Sequence, residues 1–244
     1  MLNEATLPLL LQGVFVTLWL TLITSVASMV IGIWVGIGRL STNKYIRQLS
    51  TGYVTIHRNV PALLLIIFWA FAVPNLFSSD TRQTIFFNNQ FVNWVADLTN
   101  LSIPYYALAA TLALTLNTSA YIAELFRAGV GAIAQQQVDA ARSIGATQAV
   151  VLREIVIPQG LRIAFPTIST RLIHNMKNTA LASFVSVPEF FNSTQGLISK
   201  TFLASEFLML AAGVYLTLSL LFAQLLEAIG WLLKRRRSDW VVAT

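Results

Sequence analysis

Apolar residues in this chain come in long unbroken runs, not in the alternating or half-faced patterns of soluble elements. Residues 5 to 38 carry no charge, and about 20 apolar helical residues are enough to cross roughly 30 Å of hydrocarbon. This window predicts one long span, about Leu9 to Ile37, with Pro8 at its start, where a helix tolerates proline. Further uncharged windows run from Asn59 to Ser79 and from Leu98 to Ala123, and a last one, Phe207 to Leu226, is just long enough. Another stretch, about 165 to 188, is apolar on average but contains Arg171, His174 and Lys177. Ahead of the third window, "TIFFNNQFVNWVADL" places Phe87, Phe91, Val92 and Trp94 at helix-like spacing, which predicts a short helix lying at the interface.

Charge placement decides between four spans and five. The 39–58 connection holds Arg39, Lys44, Arg47 and Arg58 without an acid, and such loops stay in the cytoplasm. The 80–97 connection mixes Asp80, Arg82 and Asp97 and suits the outside, whereas the tail Lys234-Arg235-Arg236-Arg237 again belongs inside. With 39–58 inside, the first span begins outside, and a tail that ends inside requires an odd number of crossings. Five spans satisfy both conditions, so the segment with Arg171 and Lys177 is expected to cross. The reading is an all-α polytopic membrane protein, one domain over residues 1–244, with its amino terminus outside and its carboxyl terminus inside. Gly32 and Gly36 form a GxxxG pair in the first span; such pairs let another helix approach closely, although they also arise by chance.

Composition agrees with the pattern. Of 244 residues, 56% are hydrophobic and 11% charged, and mean hydropathy is +0.68, against about 25% charged residues in soluble domains. The absence of cysteine excludes disulfides, thiolate metal sites and a cysteine nucleophile. A net charge of +6 raises the question of nucleic acid, but the cations lie at the ends of apolar runs, so no nucleic-acid partner is expected. Arg58 is expected to anchor to headgroups, and the tail to touch anionic membrane lipid. The opening Met-Leu-Asn-Glu is acidic where a secretory leader is basic, so none is expected. No G-x-x-x-x-G-K-[ST], H-E-x-x-H or G-x-S-x-G motif occurs, so neither a phosphate loop nor a catalytic or metal site is expected.

One stretch does not belong in lipid. "VDAARSIGATQAVVLREIVIP", residues 138 to 158, carries Asp139, Arg142, Arg153 and Glu154. It predicts a short amphipathic helix ending at Gly145, a residue able to take the left-handed conformation of a helix stop. Asp139 is expected near the positive end of that helix's dipole, and Val138, Ala141, Ile144 and Gly145 are expected on one face. The residues alone fit either a solvated connector or a helix docked in a partner's groove.

The same residues resemble the EAA loop of the membrane subunits of ABC importers. Asp139-Ala140-Ala141 is followed by Gly145 and then by Ile155, Ile157 and Pro158 in the distal Ile-x-Leu-Pro position, with Asp139 standing for Glu and Ile157 for Leu. Other segments are similar to polar amino-acid permeases (the His/Glu/Gln/Arg/opine group). These are "HRNVPALLLIIFWAFAVP", "SAYIAELFRAGV" with Tyr121, Glu124 and Arg127, "IPQGLRIAFP" and "MKNTALASFVSVPE". Gln135-Gln136 departs from the family's usual Gly-Gln. The resemblance implies a type I ABC importer permease fold with a cytoplasmic coupling loop at about 124–160. Its coupling helix would sit in a groove of a cytoplasmic ATPase dimer, which binds the ATP and magnesium; this chain itself would need no cofactor. It further implies a bacterial inner membrane, a second permease subunit (identical or a paralogue) and an extracytoplasmic binding protein that delivers an amino acid.

Charged residues inside a span cost about 2.5–3.5 kcal/mol each by insertion scales and usually face protein or a water-filled path. Arg171, Asn175 and Asn178 fall at i, i+4 and i+7, flanked by His174, Lys177 and Thr179. This group is the expected substrate path. An arginine fork suits a carboxylate, so Arg171 is expected either to meet a substrate carboxylate or to pair with a partner chain's acid or snorkel inward. His174 reads as a helix contact or a proton carrier, and Lys177 as a structural or gating contact. Glu124 and Arg127, three residues apart, are expected to pair. The substrates are expected to be acidic and neutral polar amino acids such as glutamate, aspartate and glutamine. The alternative from another class is a gradient-driven secondary amino-acid transporter, from which ATP dependence distinguishes this reading.

Overall fold

The computed structural model describes residues 6–99 and 104–235. The opening Met1 to Glu4 and, in the cationic tail, Arg236 and Arg237 lie outside the described residues. Helix α1 (Thr6–Arg39) runs unbroken for 34 residues. It is built inside out relative to a soluble helix. Thr17, Thr21, Thr24, Ser25, Ser28, Gly32 and Gly36 are buried, while Leu11, Phe15, Leu18, Leu22, Val26 and Val30 are exposed. Lipid solvates large apolar side chains as well as protein does, so helix association in a bilayer relies on small residues and close backbone approach. The buried threonines satisfy themselves on the preceding turn, Thr21 donating to the Thr17 carbonyl at 2.7 Å and Thr24 to that of Leu20 at 2.7 Å.

That small-residue face packs on α6 (Pro104–Gly131), the most extensive helix contact among the described residues. The GxxxG pair is used there. A Cβ on Gly32 would lie 2.7 Å from the Ile122 Cβ, and one on Gly36 2.7 Å from the Phe126 Cδ1. Helix α6 is the central post, also touching α2 (Lys44–Asn59), α3 (Ala62–Ile67) and α9 (Ile157–Asn178). The basic 39–58 connection is largely the helix α2, capped by the Asn43 side chain accepting from the Tyr45 N–H at 2.9 Å. The chain then turns by 104° into α3, whose helical path continues with wider winding over Phe68–Ala72 and a tight turn over Pro74–Leu76.

Beyond it come α4 (Ser79–Arg82), a wide-wound segment Gln83–Phe87 and α5 (Gln90–Thr99). The interfacial helix is therefore shorter than the pattern predicts. Phe91 and Trp94 stack on its exposed side at 6.1 Å, whereas Phe87 lies on the separate segment and packs edge-on against Tyr105 at 5.0 Å. After α6 come α7 (Gln135–Ser143), α8 (Gln148–Val150) and a wide-wound stretch Val151–Val156 leading into α9. Helix α9 tightens over Thr179–Val185, α10 (Phe190–Thr201) crosses the start of α1, and α11 (Ala204–Arg235) lies on α9.

Two helices, α1 and residues 204–232 of α11, are long and apolar enough to cross a bilayer, and the bent α2–α3 pair makes a third if it is one span. Helices α6 and α9 are long enough, at 28 and 22 residues, but they carry polar groups such as Asn117, Glu124, Arg162 and Arg171. In α6 the reason is its position. Asn117, Thr118 and Ser119 are buried among the other helices, so the bundle, not lipid, solvates them.

Candidate functional site

Helix α7 stands at one end of the bundle and is short, polar and largely exposed. Its ending is well defined. Gly145 has φ +89°, its N–H donates to the Arg142 carbonyl at 3.0 Å, and the Ala146 N–H donates to the Ala141 carbonyl at 3.0 Å. This is the paired closure that a left-handed residue makes possible after a helix. Two expectations need correction. The helix begins at Gln135, so Asp139 lies in its second turn, where its carboxylate accepts from the Gln135 side chain at 3.0 Å. It therefore does not serve the first turn's dipole. Nor do the four predicted residues form one face: Val138 and Ala141 are half-buried, whereas Ile144 and Gly145 lie past the helix end and are exposed. The outward surface is Gln136, Asp139, Ala140, Ser143 and Ile144.

Although exposed, α7 is tied to the chain on its carboxyl side. The Gln159 amide donates to the Gln137 side chain at 2.8 Å, and the Arg142 guanidinium to the Gln148 side chain at 2.5 Å. Helix α7 also packs on the Val151–Val156 segment, in which Val151 and Val156 are buried and Ile155 half-buried. Ile157 opens α9 and Pro158 occupies its first turn, where a missing N–H costs nothing. Helix α7 is thus joined to the first turn of α9 by one side-chain bond, and to α8 and the Val151–Val156 segment by another bond and by packing.

The same end of the bundle holds a charge cluster. Glu124 accepts from Arg127 at 2.6 Å, as its spacing predicts, but also from Arg39, and Arg58 lies 3.3 Å away. Arg58 is therefore also held by protein, and its guanidinium carbon is 5.2 Å from the centre of the Tyr121 ring. One carboxylate thus joins the ends of α1, α2 and α6, three elements far apart in sequence.

The residues predicted for the substrate path do not form one stripe. Asn175 is fully buried and bridges helices, accepting from Thr118 at 2.8 Å and donating to Thr24 at 2.8 Å. Thr179 is buried too, its hydroxyl turned back to the Met176 carbonyl at 2.6 Å, and Asn178 is half-buried. Arg171, half-buried, donates to Asn117 at 2.6 Å and stacks over Tyr121 with its guanidinium carbon 3.8 Å from the ring centre. Asn117 in turn donates to the His57 carbonyl at 2.7 Å. His174 and Lys177 are exposed, in line with Thr167 and Thr170. Thr167, Thr170, His174 and Lys177 make an open polar stripe along a helix that is buried on its other side.

Two participants escape sequence reasoning. Glu189 is fully buried: it caps α10 by accepting from the Asn192 N–H at 2.6 Å and the Phe191 N–H at 2.9 Å, and it accepts the Tyr215 hydroxyl at 2.6 Å. Its position just after Pro188 and before an apolar run marks a helix cap, yet nothing local marks its burial. Asn117 stands in the triplet Asn117-Thr118-Ser119, an interruption of an apolar window that could have been taken as a sign of contacts inside the bundle.

Comparison with known proteins bears on this arrangement. Residues 28–230 match the family described as binding-protein-dependent transport system inner membrane component. The chain is 30% identical over 208 residues to the histidine/lysine/arginine/ornithine transport system permease protein HisM of Escherichia coli, which covers 85% of this chain and 81% of that protein. It is 32% identical over 186 residues to the glutamate transport system permease protein GluC of Corynebacterium efficiens, 75% of each chain. The fold superposes on a crystal structure of an amino acid ABC transporter with histidines, TM-score 0.71 and 24% identity, covering 94% of this chain and 98% of the other.

Proposed function

Because this chain belongs to the family of binding-protein-dependent inner membrane permeases of polar amino-acid ABC importers, we propose that it carries acidic and neutral polar amino acids across the bilayer, with α7 as its coupling helix. The chain is a multi-pass inner membrane subunit and not itself an ATPase; in this family ATP is handled by a partner. Membership implies a complex with that ATPase and with a binding protein. In the proposed topology α1, the α3 path to Leu76, α6, α9 and α11 are the five spans, and α2 and α7 lie at the cytoplasmic end. The rest of the path's wall comes from a second permease subunit.

The observation that carries the reading is the attachment of α7. It is largely exposed, ends on a glycine closure, and is bonded to the first turn of α9 through Gln137–Gln159 and to α8 through Arg142–Gln148. A helix seated in a partner's groove transmits displacement only if both its docking surface and its root are stiff. The exposed stripe Thr167, Thr170, His174 and Lys177 lies further along the same helix. A polar stripe on a spanning helix faces water or protein in preference to lipid. Movement of α7 therefore acts on the helix that lines the path, with Arg171 and Lys177 as its cations and Asn175, Asn178 and Thr179 behind them.

The test is uptake of labelled amino acids by the whole complex in proteoliposomes. ATP-dependent uptake that survives an ionophore supports the importer. Uptake that persists without ATP and collapses with an ionophore would establish the gradient-driven alternative instead.

A further inference from the structure

Four arginines lie along the second half of α6, Arg39, Arg58 and Arg127 around Glu124 and Arg171 between Asn117 and Tyr121. Among the described residues Glu124 is the one carboxylate in ion-pair contact with any of them. Glu124 is saturated by Arg39, Arg127 and Arg58, and Arg171 has no acidic partner among the described residues. Four cations against one anion leave a formal charge of +3. A charge taken out of water without a counter-charge is destabilising, so the half-buried Arg171, the one of the four without an acid, is favoured by an added anion.

The unused donors show where that anion goes. The Nε of Arg58 and the Nε of Arg171 are both buried without a hydrogen-bond partner. Both guanidinium groups address the Tyr121 ring, at 5.2 and 3.8 Å, distances that bound their separation at 9.0 Å. Stacking on Tyr121 and the bond to Asn117 hold the Arg171 plane in one orientation before any ligand arrives. A held fork presents parallel N–H donors matched to a carboxylate. Arg171 also adjoins the open stripe of Thr170 and His174, so the station borders the path.

We infer that Arg58 and Arg171, gathered around Tyr121 with Asn117 as a positioning residue, form a carboxylate station in the path that selects acidic amino acids and rejects cationic ones. The inference rests on the permease reading and deepens it, since that reading names acidic and neutral amino acids without a group that prefers the acidic ones or turns cationic ones away. An acidic amino acid brings two carboxylates, one for each guanidinium, and a net negative charge that offsets the surplus. A cationic amino acid brings one carboxylate and adds a second cation to a cluster already in excess.

The experiment measures equilibrium binding of labelled L-glutamate to the purified permease–ATPase complex, without binding protein, in phosphatidylcholine nanodiscs. L-Aspartate is expected to compete and L-arginine not to. Arg171→Gln is expected to weaken glutamate binding tenfold or more, about 1.4 kcal/mol, with Arg171→Lys in between because it keeps the charge and loses the fork. Stoichiometric co-purification with the ATPase checks assembly, and if the glutamine variant fails to assemble, the lysine variant carries the test. Competition by L-arginine equal to that of L-aspartate, or unchanged binding in the variants, overturns the assignment. A repeat in phosphatidylglycerol nanodiscs tells the two sources of anion apart: retained glutamate binding supports the station, and its loss identifies a lipid-phosphate site and overturns it. Failure of the permease reading looks different, as a complex that with its binding protein imports no amino acid of any charge.

Discussion

Replacing Gly145 by valine probes the proposed coupling helix at one backbone angle. At φ +89° glycine is unstrained, whereas an L-residue in the left-handed region costs about 1–2 kcal/mol, the upper end for a branched side chain. A Cβ at this position meets nothing within 4 Å, so the penalty is conformational and none of it is a clash with the bundle. The strain competes with two closing hydrogen bonds of 3.0 Å each, from Gly145 and Ala146 to Arg142 and Ala141, which together contribute about 2 kcal/mol. The helix end can relieve the strain by giving them up. If about 2 kcal/mol falls on that local equilibrium, its constant drops roughly 30-fold, since 1.4 kcal/mol is a factor of ten, which just cancels the closing bonds and lowers the dockable form to about half. The assay is the initial rate of ATP-driven uptake in proteoliposomes containing the full complex, with ATP hydrolysis read in parallel. Gly145→Val is expected to lose about two- to threefold in uptake and Gly145→Ala less. Gly145→Asn should lose least, because asparagine tolerates the left-handed region, and complex yield and melting temperature should be unchanged throughout. Gly131→Ala, nearby and equally free of contacts, is the control without an effect. Uptake by the valine variant equal to that of the original would refute the reasoning, because the closure would then not govern docking.

Two further outcomes test the packing. Gly32→Ala forces a Cβ to 2.7 Å from Ile122 and is expected to destabilise by about 1–3 kcal/mol, as overpacked sites do, read as a lower melting temperature of the detergent-solubilised complex. Gly213→Ala, on α11 with nothing within 4 Å, should leave it unchanged. Glu189→Ala leaves two α10 N–H groups and the Tyr215 hydroxyl without their acceptor, at about 1–3 kcal/mol for each buried orphan. Glu189→Gln keeps one oxygen there and should lose clearly less; equal losses in the same thermal assay would mean that the acceptor is not what Glu189 supplies.

Much of the coupling region is legible in the sequence because its determinants are local. The Gly145 stop, the proline in the first turn of α9 and the run of small residues all act within a few positions of themselves. The Glu124–Arg127 pair is legible for the same reason, being one turn apart on one helix. Contacts between distant segments are not legible in this way. Arg58 reads as a headgroup anchor until Glu124, from another helix, is found beside it. Asn175 and Arg171 share a helical stripe in projection, but α9 packs against α6 along that line, so Asn175 is enclosed between Thr24 and Thr118 while Arg171 reaches Asn117 at the margin.

The sequence by itself determined the class of protein and its long apolar helices. Burial in lipid follows from composition over stretches of 20 residues, and helix termini follow from proline, glycine and capping side chains nearby. Tertiary structure alone decided which polar groups are solvated by protein and which remain open. Hydropathy averaged along the chain cannot distinguish a polar helix enclosed by neighbours, like α6, from one with an open polar stripe, like α9. Only the packing of α1, α6 and α9 places Asn175 inside, and that of α1, α10 and α11 encloses Glu189, while Lys177, His174 and one edge of Arg171 stay accessible. The physical reason is that the free energy of a charge depends on what surrounds it in three dimensions, and most of those neighbours are remote in the chain.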